Sequence, residues 1–349
     1  MTSDRLSSLI GAFQPDVLPL DGVTAVVFPL MKIIPAEFCV REAIRDGRLS
    51  HGGFVIESSS GTMALGLAQV CRWLELPLVI VTDYACDDAL CRRMADLGVR
   101  VERVTAPAAT GGYQRARLDR LEEIRQTEPG AWWLNQYDNP HNAGAYSDVA
   151  AQIIEAVGRV DCLVGAVGSG GSMCGTASYL RALFPEMAVV GVDTFNSVLF
   201  GQPDGTRRLR GLGNSLLPRN LDHRLFDEVH WVTAAEAYAA TRLLHRTTAL
   251  FRGGTSGATW LAARDYARRH PEATVVCLFA DDGTRYAEEI YNDARLVEHG
   301  LWLDRLPAEP IVVTSPPQAP TSWTRMNWNR RSHDAVLAAS GVGAEASSS

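Results

Sequence analysis

The chain has 349 residues, 46% hydrophobic and 21% charged, with a formal net charge of −7; this is enough to bury a full core, and the length suits two domains. The acidic balance, with no basic run, argues against nucleic acid as a partner, since such binding rests on Lys and Arg neutralising phosphates, and no apolar run reaches membrane-spanning length. Of 33 basic side chains only Lys32 is a lysine and the rest are arginine, which excludes surface lysine patches and leaves one side-chain amine for chemistry that arginine cannot perform.

Along the chain, short apolar runs alternate with helical periodicity. The first half reads as helix Ala36–Arg48, strand Phe54–Glu57, helix Thr62–Leu74, strand Leu78–Thr82, helix Asp87–Leu97, strand Val99–Val104, helix Leu118–Thr127 and strand Trp132–Gln136. The second half reads as helix Tyr146–Val157, strand Cys162–Val167, helix Met173–Leu183, strand Ala188–Asp193, strand Val229–Val232, helix Ala234–Arg246, helix Ala258–Arg269 and strand Thr274–Ala280. This alternation implies mostly parallel sheets covered by helices. Eight such units exceed one comfortable sheet, so the chain divides near residue 145. From Leu306 the sequence turns Pro-rich and then small and polar, a tail expected to extend beyond the core.

The N-terminus lacks the order of a signal peptide. Seven cysteines are scattered with no CxxC pair, which reads as reduced thiols in a cytoplasmic protein; Cys86 and Cys91 read as inert packing. The histidines show no metal spacing, and no metal is expected, although His141 could reach a pocket.

Ligands in such folds sit where strands end and helices begin. Gly168-Ser169-Gly170-Gly171-Ser172 follows a buried strand and opens a helix, so its backbone N–H groups suit a phosphate; the plainer alternative is a tight turn that binds nothing. Glu57-Ser58-Ser59-Ser60-Gly61-Thr62 offers hydroxyls and N–H groups that suit a carboxylate, or simply an N-cap with spare serines. Further small-residue turns are Arg252–Ala258 and Leu278–Thr284. Lys32 precedes a helix whose first turn contains Pro35, and the positive helix end favours a free amine. One lysine beside a phosphate loop and a carboxylate loop points to pyridoxal 5′-phosphate (PLP) held as a Schiff base, acting on an amino acid. Codon bias with one lysine left by chance is the bland alternative.

The order Lys32, S-S-S-G, N-Q-Y-D-N-P, G-S-G-G-S, R-G-L-G, G-G-T-S-G-A, D-D-G-T-R-Y resembles the cysteine synthase/cystathionine β-synthase family across roughly residues 20–300. The interval from Lys32 to Ser60 matches that between the family's Schiff-base lysine and its substrate loop. The resemblance implies an α/β, two-domain, three-layer tryptophan-synthase-β-like PLP fold. Residues 1–34 would begin the large domain, 35–145 form a small mobile domain, 146–305 complete the large domain and 306–349 form the tail. It implies that Lys32 is the catalytic base, that Ser59, Ser60 and Gly61 hold the substrate carboxylate with Gln136, and that Gly211 belongs to a loop closing over the substrate. Gly168, Ser169, Gly170, Gly171 and Ser172 would hold the cofactor phosphate, and Thr255 would face the pyridine nitrogen, unless Asp281 or Asp282 reaches it. Thr62 stands where the family has an Asn at the cofactor's 3′-oxygen. Ile34 and the Val27–Met31 segment make the surroundings of Lys32 more apolar than in housekeeping members.

The implied activity is β-elimination/β-replacement on L-serine or an O-acetyl or O-phospho serine, giving cysteine or a related β-substituted amino acid, as in specialised metabolism. The partners are then an amino-acid substrate and a small nucleophile, and a homodimer is expected. A dehydratase/deaminase and a non-catalytic PLP- or amino-acid-binding paralogue are the alternatives. Arg207, Arg208 and Arg210 either meet an anionic leaving group or form a solvated face.

Overall fold

The computed structural model describes residues 11–109 and 112–340. The strands, in chain order, are β1 (Asp16–Leu20), β2 (Val23–Val27), β3 (Phe54–Ser58), β4 (Leu78–Thr82), β5 (Arg100–Arg103), β6 (Ala131–Trp133), β7 (Cys162–Ala166), β8 (Ala188–Thr194), β9 (Glu228–Val232), β10 (Val275–Phe279), β11 (Ile311–Val312) and β12 (Thr324–Asn327). They fall into two compact units. One contains Leu30–Tyr146 with the described residues before Pro15; the other contains Pro15–Pro29 and the chain from Ser147.

In the smaller unit four strands lie in the order β5-β4-β3-β6, all parallel. The period of two decides which residue meets which layer. Val55, Leu78 and Ile80 pack with Ile33, Val40, Leu67 and Met94 from the helices Ile33–Arg45, Thr62–Trp73 and Asp88–Asp96. Their neighbours Ile56, Val79 and Val81 face the other way, onto Leu121 and Ile124 of the helix Gly112–Thr127. Both faces are covered, so FVIES and LVIVT read as nearly continuous apolar runs. The strand expected over Trp132–Gln136 stops at Trp133, because Asn135 takes a left-handed φ of 54° and turns the chain.

In the larger unit eight strands lie in the order β1-β2-β10-β7-β8-β9-β12-β11. The central run from β2 to β9 is parallel, with antiparallel pairs β1–β2 and β12–β9 at its flanks. The hairpin β1–β2 is absent from the expected elements although its sequence is legible: Asp21-Gly22 separates two apolar runs, and Gly22 has the positive φ of 74° that such turns favour.

The tail expected from Leu306 stays with the core over its described residues, which run to Ser340. β12 joins the sheet beside β9, and Trp323, Met326 and Trp328 are at most 2% exposed. The apolar surface buried by those three side chains helps to offset the entropy of ordering this Pro-rich segment.

Candidate active site

Lys32 is the N-cap of the helix Ile33–Arg45. Its backbone is held against the helix Thr62–Trp73 at Gly66: a Cβ placed on Gly66 would lie 2.9 Å from the Lys32 carbonyl oxygen and 3.1 Å from the Ile33 nitrogen. Glycine is therefore required for the two helices to approach this closely. Burial lowers the Lys32 pKa to about 8, against the opposing pull of Glu57 and Cys39. An amine poised near neutrality can serve both as nucleophile and as proton carrier.

In the same unit, β3 delivers the serine loop. Ser59 donates its backbone N–H to Val81 at 3.1 Å, and its Oγ accepts from the N–H groups of Gly61 at 3.2 Å and Ala64 at 3.3 Å. The Ser59 hydroxyl oxygen is thus a helix cap. Ser60, Gly61 and Thr62 are the half-buried members of the loop, within reach of a ligand. Gln136 is buried and reaches the same loop through Nε2, which donates to the Ser58 carbonyl at 3.3 Å.

Glu57 ties these pieces together; it heads the serine turn read from the sequence but has no role of its own there. It is 1% exposed. Oε1 accepts from the Ser58 N–H at 2.6 Å and from Trp133 Nε1 at 3.3 Å, and Oε2 accepts from the Gln136 N–H at 3.1 Å. Burial raises its pKa to about 7 despite those three donors. The available signal was a carboxylate closing the apolar run FVIE, where an unpaired charge would be costly.

In the larger unit, β7 leads into Gly168-Ser169-Gly170 and the helix Gly171–Leu183. Gly170 has φ +82°, and a Cβ there would lie 2.8 Å from the Asn220 carbonyl oxygen, so both conformation and space demand glycine. The N-cap of this helix, Gly170, has no side chain to cap it. The first N–H groups of the helix and the buried Ser169 and Ser172 make a turn whose chemistry suits an anion. The site expected around Gly211 also assembles here. A Cβ on Gly168 would meet the Gly211 carbonyl oxygen at 3.2 Å, and one on Gly211 would meet Thr255 Cγ2 at 3.3 Å. Thr255 Oγ1 is buried with no hydrogen-bond partner among the described residues, which fits a hydroxyl that meets a cofactor nitrogen.

The two acidic candidates separate. Asp282 is exposed and accepts from the Thr284 N–H at 2.7 Å. Asp281 is buried, with Oδ2 accepting from the Tyr286 hydroxyl at 2.6 Å; burial raises its pKa to about 6. Arg207 donates to Asp204 at 2.8 Å and to the carbonyls of Asn196 and Gly205. Its guanidinium is engaged within its own loop. Arg208 is exposed. His141 lies 6.1 Å from Phe38, ring to ring, with Glu42 and Asp46 nearby.

Residues 31–281 match the family described as pyridoxal-phosphate dependent enzyme. The chain belongs to that family: it is an enzyme whose cofactor is PLP. It is 34% identical over 300 residues to the N-(2-amino-2-carboxyethyl)-L-glutamate synthase of Ralstonia nicotianae, covering 82% of this chain and 87% of the relative. It is 35% identical over 284 residues to the enzyme of the same name from Cupriavidus metallidurans, covering 80% of this chain and 81% of the relative. Among solved structures, O-acetyl serine sulfhydrylase isoform 3 of Entamoeba histolytica superposes with a TM-score of 0.74 at 25% identity, over 87% of this chain and 97% of that one. The O-acetylserine dependent cystathionine beta-synthase of Helicobacter pylori gives 0.75 at 24% identity, over 83% and 98%, and supports the fold. The fold is that of the cysteine-synthase-type PLP enzymes.

Proposed function

We propose that this enzyme performs β-replacement on an O-activated L-serine with the amino nitrogen of a second amino acid, L-glutamate, as nucleophile. One observation carries the choice of nucleophile: both synthases similar to it over about four-fifths of the chain make a product whose name places a serine-derived 2-amino-2-carboxyethyl group on the nitrogen of glutamate. In the balanced reaction the Cβ–O bond of the activated serine breaks and its electron pair leaves with the oxygen group. A Cβ–N bond forms, and the nucleophile loses one proton.

When bound, PLP supplies an electron sink that acidifies the substrate α-carbon. The chain's residues supply the rest. Gly168 to Ser172 hold the phosphate through backbone N–H groups and the two serines. Ser60 and Gly61 hold the substrate carboxylate with Gln136, on the rim that Ser59 caps. Lys32 would hold the cofactor, and its side-chain amine would take the substrate α-proton and return it. Thr62 serves where relatives of the cysteine-synthase type carry Asn, and Thr255 offers a neutral hydroxyl that cannot hold a proton on a ring nitrogen as a carboxylate would. That combination favours departure of the β-substituent.

A cytoplasmic setting suits this reading, supported by seven unpaired cysteines. The test supplies the PLP-loaded enzyme with O-phosphoserine or O-acetylserine together with glutamate, other amino acids, sulfide or thiols, and identifies products by mass. The expected product is the serine-derived group on the glutamate nitrogen. Pyruvate and ammonia alone would indicate elimination, and cysteine in preference to the amine adduct would overturn the choice of nucleophile.

A further inference from the structure

Cys86 and Cys91 do not pack as independent apolar side chains. Cys86 lies in the turn after β4 and is 1% exposed; Cys91 sits in the helix Asp88–Asp96 and is half-buried. Their sulfur atoms are 3.1 Å apart. Asp87 caps the helix by accepting from the Leu90 N–H at 2.7 Å, which fixes the turn joining the two thiols. Arg103 comes from β5 and donates through Nη2 to Cys91 Sγ at 3.1 Å and to the Cys86 carbonyl at 2.9 Å. A positive charge and a donor therefore stand beside one sulfur of the pair.

We propose that Cys86 and Cys91 form an oxidisable dithiol, a modification site that a low-molecular-weight disulfide converts into an intramolecular disulfide. Thiolates attack and buried thiols resist ionisation, and burial pushes the Cys86 thiol up to about 12. Cys91 is therefore the attacking sulfur. Its thiolate displaces one thiolate from the reagent and forms a mixed disulfide. Cys86 then attacks Cys91 Sγ, and its proton goes to the second thiolate released. Two protein thiols are oxidised and one reagent disulfide is reduced to two thiols. Closing 3.1 Å to the about 2 Å of a disulfide bond needs roughly an ångström of side-chain movement. This inference is independent of the substrate assignment above.

The experiment treats the PLP-loaded enzyme with oxidised glutathione and then counts thiols after denaturation. Wild type is expected to lose two of its seven thiols and to retain no glutathione. The tryptic peptide Trp73–Arg92, which contains both cysteines, becomes lighter by two hydrogens. C86S is expected to keep one glutathione on Cys91, C91S to keep none on this peptide, and R103Q to react more slowly than wild type. A stable glutathione adduct on wild type, an unchanged Trp73–Arg92 peptide, or a C91S protein that takes up glutathione at Cys86 would overturn the proposal. The C91S comparison stays decisive should C86S fold poorly, because Cys91 is the more exposed of the two.

Discussion

The Gln136 backbone N–H donates to Glu57 Oε2 at 3.1 Å, across 79 residues of chain. This bond fixes the N-Q-Y-D-N-P segment against the serine loop, since the other Glu57 oxygen holds the Ser58 N–H. Glu57 is thus a positioning residue for two segments proposed to share the substrate carboxylate. Glu57→Ala removes the acceptor of two buried N–H groups and of the part-buried Trp133 Nε1 and is expected to cost about 2–3 kcal/mol of stability. It should also raise KM for the activated serine about tenfold, the equivalent of 1.4 kcal/mol, with a smaller change in kcat and in KM for the nucleophile. Steady-state kinetics with each substrate varied in turn checks the split.

Gly66→Ala introduces a methyl group 2.9 Å from the Lys32 carbonyl oxygen, a backbone atom with little freedom to yield. Overpacking of this kind costs roughly 1–3 kcal/mol, and here it also displaces the residue that carries the amine. Urea denaturation should show lower stability, and the same protein should take up PLP more slowly than wild type.

Buried acids give the cofactor-free protein a distinctive pH profile. Burial raises Glu57 from 4.5 to about 7, Asp193 from 3.8 to about 7 and Asp281 from 3.8 to about 6. Between about pH 4 and 7 the unfolded chain therefore releases protons that the folded protein retains, and stability falls as pH rises. The Glu57 contribution alone is on the order of 3 kcal/mol. Glu228 works the other way: burial opposes its ionisation, but the His230 hydrogen bond with Arg269 and Arg325 holds it down from 4.5 to about 2, so its contribution rises with pH up to about 5 and is level above that. Lys32 acts in the opposite sense at higher pH: lowered from 10.5 to about 8, its own contribution rises across that interval, against the falling contributions of buried thiols such as Cys39, raised from 9.0 to about 12. Denaturation midpoints that climb steadily from pH 5 to 7 would contradict this.

Arg325 on β12 donates to Glu228 at 3.0 Å, and Arg269 donates to Glu228 at 2.6 Å and to Asp265 at 3.0 Å. Trp323 Nε1 donates to His230 Nδ1 at 2.9 Å, which leaves the His230 Nε2 proton for Glu228. Arg325 is part-buried and Glu228 keeps Arg269 and His230, so losing this charged hydrogen bond costs about 1.5–3 kcal/mol. Arg325→Met is expected to lower the unfolding midpoint accordingly while leaving KM for the serine substrate unchanged.

The fold was largely legible because parallel strands buried on both faces leave continuous apolar runs, as in Leu78–Thr82 and Val275–Phe279. The segment around Trp323 was misread because its prolines dominate the local composition, whereas the strand there is fixed by burial of Trp323 and Trp328 and by pairing with distant β9. Gly168, Gly211 and Thr255 could be named from motif order, and the fold brings them together. The roles of Glu57 and Gly66 escaped notice for a physical reason. They consist of contacts with Gln136 and Lys32, residues remote in sequence, and no local pattern records such contacts. The Cys86–Cys91 approach depends similarly on Arg103 and on the turn geometry.

Borohydride reduction of the PLP-loaded enzyme, followed by peptide mass mapping, asks whether the single lysine is the amine on which this enzyme works. One cofactor is expected to be fixed per chain, on the peptide containing Lys32, with no fixation in Lys32→Ala and a loss of activity on the order of 10³-fold in that variant. Cofactor fixed at the N-terminal amine, or full activity retained in Lys32→Ala, would contradict that role.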